Sequence, residues 1–271
     1  MLVRYKQEAI ASLPYLMAII CLACPLSVMG YQQFTVSASL ERPIASLGEP
    51  ILLDLRITNI AQSDIELDLG DDSEGNVDIS VKDPSGKTKK KSDVGQREGI
   101  TFSGKSTLLP QATRSQVLVL NKWFSFDTPG VYSIKVELLG INDMNGAIDV
   151  DLHITDADDK EMTILCSELG NRLHSSSAGE ALTAATALSY VHNPVVVPIW
   201  QSVIKLPPLE RFAVLGLLQI GDRNAVAVLI QALGDSDSET QQLIISVLRA
   251  IARDTTDKAI RANINAVFAG R

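Results

Sequence analysis

Residues 180–203 and 210–233 carry one pattern twice, thirty residues apart. Glu180, Ala185, Leu188, Val196, Ile199, Gln201 and Val203 recur as Glu210, Leu215, Leu218, Val226, Leu229, Gln231 and Leu233. A unit of this length with apolar residues at helical spacing reads as a helix pair. One such pair cannot bury its apolar face alone, so the copies must stack. The feature therefore predicts a short α-α solenoid. Proteins built this way mostly hold other macromolecules on a surface, which turns the search for function away from a single catalytic pocket.

The rest of residues 157–271 fits the same scheme. The spacing predicts a first helix over about 160–173, then pairs 180–191 with 195–205, 210–220 with 224–234, and 238–252 with 257–268. Leu248 and Ile251 match Leu215 and Leu218 at an offset of 33, and Ile264 and Val267 match Ile230 and Leu233 at 34, so the third turn carries an insertion. Ser236 or Asp237 can cap the helix that starts near Ser238. Pro207-Pro208 separates one unit from the next.

Residues 215–226, Leu-Gly-Leu-Leu-Gln-Ile-Gly-Asp-Arg-Asn-Ala-Val, resemble the signature of the short HEAT-like repeats first noted in phycobilin lyases. In that signature a Leu-rich helix runs into Ile-Gly-Asp and a second helix opens on Ala-Val. Gly221 suits the left-handed turn after the first helix, and Asp222 suits the cap of the second. The first copy departs from it, with Val191 and His192 in place of Gly221 and Asp222. The resemblance covers about the last ninety residues and implies the fold. The lyase activity is not carried over, because the motif residues are structural.

Residues 31–156 change period. Phe34–Leu40, Ile51–Asn59, Ile65–Leu69, Val77–Asp83, Gln116–Leu120, Val131–Leu139 and Ile148–Ile154 are short β-type runs, most of them alternating. Gly48-Glu49-Pro50, Asp83-Pro84-Ser85-Gly86, Thr128-Pro129-Gly130 and Asn142–Gly146 punctuate them. About seven such strands predict an antiparallel, immunoglobulin-like (Ig-like) β-sandwich. Asn59, Val77–Val81 followed by Asp83–Gly86, and Pro129-Gly130-Val131-Tyr132 are similar to a family of bacterial Ig-like domains that includes an intracellular proteinase inhibitor. The expected fold class is multidomain α and β, with an antiparallel Ig-like sandwich over 31–156 and a short solenoid of HEAT-like repeats over 157–271.

Residues 1–30 read as a signal peptide. Arg4 and Lys6 precede an apolar run from Leu13 to Leu26, and small residues around Ser27–Gly30 offer a cleavage site before Tyr31. An uncleaved anchor and a lipoprotein acylated at Cys24 are the alternatives, although Cys21 stands where lipoprotein signals usually carry Leu. The expected location is secreted, periplasmic or in the cell envelope, with membrane contact only through such an anchor. After cleavage Cys166 is the only thiol, so no internal disulfide forms, and it reads as a small buried residue.

The chemical motifs are few. Gly99–Ser106 matches G-x-x-x-x-G-K-[ST], but a polar segment leads in and Pro110 follows closely, so it reads as a loop of the β region. The acidic stretch Asp68–Asn76 offers oxygen ligands suited to Ca²⁺ without EF-hand spacing, and reads as a solvated connection. Asp143–Gly146 is a turn. Lys87–Lys91 reads as a solvated hairpin tip that blunts a sheet edge, with an anionic surface as the minority reading. Trp123, Phe124 and Phe126 read as core before binding anchor, and so does Trp200. His153, His174 and His192 have no carboxylate at ligand spacing.

The formal net charge is −8, and the acidity lies mainly in residues 31–156. Such a chain lacks the basic stripe that nucleic acid requires. No cofactor, metal or catalytic residue is implied. The sequence thus points to an exported, non-enzymatic protein-binding or scaffold protein. Gln201 and Gln231, polar at one repeat position, and Lys205, one turn on, are the candidate partner contacts. The alternative is a proteinase inhibitor acting through a β-sandwich loop.

Overall fold

Alternation of apolar and polar residues builds the strands. In β3 (Leu52–Asn59), Leu53, Leu55 and Ile57 turn inward and are buried, while Asp54, Arg56 and Thr58 turn outward. The same period sets β5 (Val77–Lys82) and β9 (Gly130–Leu138), whose Ile79, Ile134 and Val136 are buried. The computed structural model describes residues 34–69, 77–93, 105–138 and 147–269. Residues 1–30, the acidic stretch beyond Leu69, most of the Gly99–Ser106 motif and the Asn142–Gly146 turn lie outside the described residues.

Three sheets are present among the described residues. β3 lies between β1 (Phe34–Leu40) and β8 (Thr113–Val119), antiparallel to both. A five-stranded sheet has the order β2-β10-β9-β5-β6, with β2 (Ile44–Ser46), β6 (Thr88–Lys90) and β10 (Ala147–Thr155) added to β5 and β9. β4 (Ile65–Asp68) and β7 (Lys105–Leu108) form a separate ribbon. The facing sheets enclose one core, which includes Phe34, Leu53, Ile79, Ile134 and Leu152. Trp123, Phe124 and Phe126 belong to it, and Phe126 meets Tyr132 edge to face at 5.2 Å.

Seven helices follow among the described residues. They are α1 (Asp159–Arg172), α2 (Ala178–Ser189), α3 (Val197–Val203), α4 (Glu210–Ile220), α5 (Arg223–Leu233), α6 (Ser238–Asp254) and α7 (Lys258–Ala269). Most of their starts are capped by side chains, those of α3 and α4 excepted. Asp158 accepts from the N–H groups of Lys160 and Glu161, Ser177 from Glu180, Asp222 from Ala225 and Asp237 from Thr240. Gly221, at φ 59°, ends α4 in the left-handed conformation that a side chain disfavours. Pro194 and Pro198 lack the N–H groups of a regular first turn, so a 3-10 turn over Pro194–Val196 leads into a short α3. α2, α4 and α6 pack in one row, with α3, α5 and α7 in a second.

A large residue shapes the centre of those rows. Trp200 is fully buried in α3, where the next repeat carries Ile230. Gly216 of α4 gives it room: a Cβ there would lie 2.7 Å from Trp200 Cε2. The glycine is a consequence of the tryptophan.

The expected fold class is not what the structure shows. The strands do not make an antiparallel Ig-like sandwich, because the larger sheet is mixed. β2 pairs in parallel with β10, Ile44 against His153 and Ser46 against Thr155. The His153 N–H donates to the Pro43 carbonyl at 2.9 Å. A three-residue strand has no alternation to read, so its parallel pairing left no trace in the pattern. The helical half is likewise not a solenoid set after a sandwich. Leu52 of β3 and Val119 of β8 lie inside the helical core with Met162, Leu165 and Ala184. Strands and helices belong to one compact unit, and the fold is mixed α/β.

Charge reinforces that junction. Buried Glu49 has Arg42 Nη1 3.2 Å from its Oε2, and Arg42 Nη2 donates to Glu161 of α1 at 2.8 Å. Arg172, at the end of α1, donates to both carboxylate oxygens of Glu41, at 3.1 and 2.9 Å.

Candidate functional site

β8 is an edge strand, and a groove lies between it and α2. Its register with β3 fixes which main-chain groups face outward. Leu120 N donates to Ile51 O at one end of the pair, and Asn59 N donates to Ala112 O at the other. The bonded positions therefore fall on the even-numbered residues of β8, against Leu53, Leu55 and Ile57. This leaves the N–H and C=O groups of Thr113, Ser115, Val117 and Val119 directed to the open side. Among the described residues no strand pairs with that side.

The two ends of β8 differ for a packing reason. Leu118 lies in the sheet core and Val119 in the helical core, which anchors the C-terminal end. Thr113, Arg114 and Ser115 are exposed, held by the β3 ladder and by a 2.8 Å bond between the hydroxyls of Thr113 and Thr58. α2 runs beside the strand, capped by Ser177. Between them lies a cleft of about 570 Å³ with Val117, Leu182 and Ala184 as its apolar wall. Arg114, Lys122 and Arg172 bring positive charge, and Glu41 and Glu180 negative charge. Arg172 and Glu41 satisfy each other, and Glu180 accepts from the Ser175 hydroxyl at 2.6 Å.

One edge of the larger sheet, β6, is built differently. β6 is three residues long, fully exposed, and carries Lys89 and Lys90. A short lysine-bearing strand discourages further pairing. The Lys87–Lys91 run thus blunts an edge as its sequence suggested, except that Lys91 turns inward. Its Nζ donates to the Val77 carbonyl at 3.2 Å and stands 5.1 Å from the centre of the Trp123 ring. β8 has seven residues, no proline and no lysine.

The other residues singled out by sequence fall as follows. Gln201 and Gln231 are exposed on α3 and α5, neighbouring helices of one row. Lys205 is committed to Asp235, at 2.6 Å, and that bond with its charge holds the Asp235 carboxyl below its usual range. The groove is not lined by any of the three. Cys166 is fully buried in α1; burial, then the charge of Glu49, pushes its thiol up to about 12, so it is no nucleophile near neutral pH. Ser106 sits on β7 opposite Leu67, a strand where a phosphate loop needs a helix. His153, His174 and His192 lie on β10, after α1 and after α2. Among the described residues no three His, Cys, Asp or Glu side chains are grouped to hold a metal. No described helix is long and apolar enough to cross a membrane.

Sequence reading missed the groove. It began the strand at Gln116, because Thr113-Arg114-Ser115 is a polar run without alternation. The usable signal was a run of seven residues, Thr113–Val119, without proline or lysine.

No family model matches the chain, and no curated protein matches it. Among solved structures it is similar to a β-glucosidase from Listeria innocua, at 13% identity, covering 47% of this chain and 17% of that one, with a TM-score of 0.30. The CARDB domain of a Pyrococcus furiosus protein, solved with di-metal ions, gives 10% identity, 46% and 94% coverage, and a TM-score of 0.30. The sporulation control protein Spo0M of Bacillus subtilis gives 13%, 50% and 55%, and 0.30. The chain therefore spans about a sixth of the glucosidase. Likeness at this level carries no functional argument.

Proposed function

We propose that this protein binds another protein, without catalysis, outside the cytoplasm, and that the β8–α2 groove is its contact surface. The observation that carries the reading is the open side of β8. Four residues of β8 turn main-chain groups to a side that no described strand pairs with, beside an apolar-walled cleft. Export rests on the positive start and short apolar run of residues 1–30.

The test is capture of the partner from a cell-envelope extract. Thr183→Trp places an indole in the groove from a half-buried position on α2. It should abolish capture while leaving the helical circular dichroism unchanged. The double variant Gln201→Ala/Gln231→Ala should leave capture intact. The reverse pattern would move the contact surface to the α3–α5 face and end the groove reading.

A further inference from the structure

We propose that a small cavity beside the groove receives a lysine side chain of the bound partner, with its stem on an apolar floor and its ammonium at Glu168. This rests on the groove being the contact surface and adds the chemistry of one side chain that enters next to it.

The cavity lies where the strand core meets the helical core. Its volume is about 140 Å³. Ile51 belongs to the sheet core and Leu52 and Leu165 to the helical core, and with Pro50 they make a buried apolar floor. On α1, Leu165, Glu168 and Arg172 follow at spacings of three and four, so they share one face. The leucine is buried and Glu168 is exposed at the rim. Glu41 and Arg172 line this cavity and the groove alike, so the two spaces adjoin at that ion pair. A cavity of about 150 Å³ holds a benzene molecule, so the room here suits a stem of four methylenes. An apolar floor under a charged rim fits a side chain that buries its stem and keeps a charged head at the surface.

The sign of that head follows from the charges around the cavity. Arg172 donates to both oxygens of Glu41. Arg42 is shared between Glu161, at 2.8 Å, and the buried Glu49, at 3.2 Å. Glu49 Oε1 accepts no hydrogen bond among the described residues. Glu168 has neither a bond nor an ion pair among them. Two arginines thus stand against four carboxylates, and both arginines are committed. Arg114, Lys122 and Glu180 line the groove and not this cavity. The arrangement lacks a cation, and an anionic head would meet the excess of carboxylates. A compact ammonium on a flexible stem also needs less width than the planar fork of arginine.

The experiment titrates the full nitrogen-15-labelled chain with blocked single residues, the Nα-acetyl methylamides of lysine, norleucine, arginine and glutamate. The lysine probe should shift the amides of Ile51, Leu165 and Glu168. It should bind about threefold or more tightly than norleucine, which has the stem without the charge, and raised salt should shrink the difference. Glu168→Gln keeps the size of an exposed side chain, so the fold is retained. It should remove the preference for lysine and weaken partner capture. Norleucine, arginine or glutamate binding as tightly as lysine, shifts confined to other residues, or a Glu168→Gln chain that keeps the preference or captures the partner undiminished would each overturn the proposal. If Thr183→Trp abolishes partner capture while the probes show no preference for lysine, the groove stands and the lysine cavity falls. If the lysine probe binds as described while Thr183→Trp leaves capture intact, the groove reading fails, and with it the groove's partner as the source of the lysine.

Discussion

In the sheets, Asn59 reaches 49 residues along the chain to hold the Leu108 carbonyl; in the helices, Asp222 reaches three to hold the N–H of Ala225. The contrast is general. Asn121 accepts from Ile51, 70 residues away, at 2.6 Å. Asp237 accepts from Thr240 at 2.8 Å. Where helices do link to one another, the spacing repeats: Lys205 with Asp235 at 30, Arg223 with Asp257 and Asn193 with Asp159 at 34. The strands are thus joined by ladders and side-chain bonds between distant positions, each of its own kind. The helices are placed by local caps and by a repeat that solves the same packing problem more than once.

Substitutions can break that contrast or sharpen it. The largest effects fall where either region depends on one irreplaceable contact. Gly216→Ala should destabilise the protein by about 2 kcal/mol, because the added methyl meets the Trp200 ring. At an open helix position the same change would stabilise by about 1 kcal/mol, so a rise in the urea midpoint would refute the close packing. Asn59→Ala should cost about 2 kcal/mol. It strips the donor from Leu108 O and Ser63 O and the acceptor from Ala61 N, all inside the sheet region. Hydrogen exchange should quicken in β3 and β7 and leave α4–α7 unchanged if the two regions are held as described. Asp222→Ala should cost about 1 kcal/mol, with exchange quickening at the start of α5.

The smallest effect is acid sensitivity of the caps. The Asp237 carboxyl is held below its usual range by the Thr240 N–H and hydroxyl, and that of Asp257 by the Ala259 N–H and then by Arg223. A depressed carboxylate stabilises the fold above its unfolded value, about 3.9, and that contribution fades as the pH falls through the lower folded value. Ellipticity at 222 nm should therefore decline below about pH 4. Asp237→Asn keeps a capping oxygen without the titration and should make the decline shallower. An unchanged acid limb would show that this cap does not contribute.

This difference also decides what could be read in advance. The ends of α4 and α5 were legible because Gly221 and Asp222 state their roles within two residues. The helix pairs were legible because the apolar pattern recurs. β3, β9 and β10 showed their alternation. β2 did not, being three residues whose partner lies more than a hundred positions away. β6 hid in a lysine run and β7 in a motif borrowed in appearance from nucleotide binding. The sheet order depends on those three, and the mixing of parallel with antiparallel pairs depends on β2. The groove was illegible for the same reason: it exists only where β8 and α2, far apart in sequence, come side by side. Gln201 and Gln231 were placed on the surface by the repeat alone, and nothing in a repeat says where the chain meets anything else.

The bond between Lys205 and Asp235 gives the repeat a direction. The two residues occupy one position in successive copies of the thirty-residue unit. Two lysines or two aspartates at these positions would repel instead of bonding. Opposite charges therefore give the two copies distinct places in the stack: one supplies the cation, the other the anion, and they are not interchangeable.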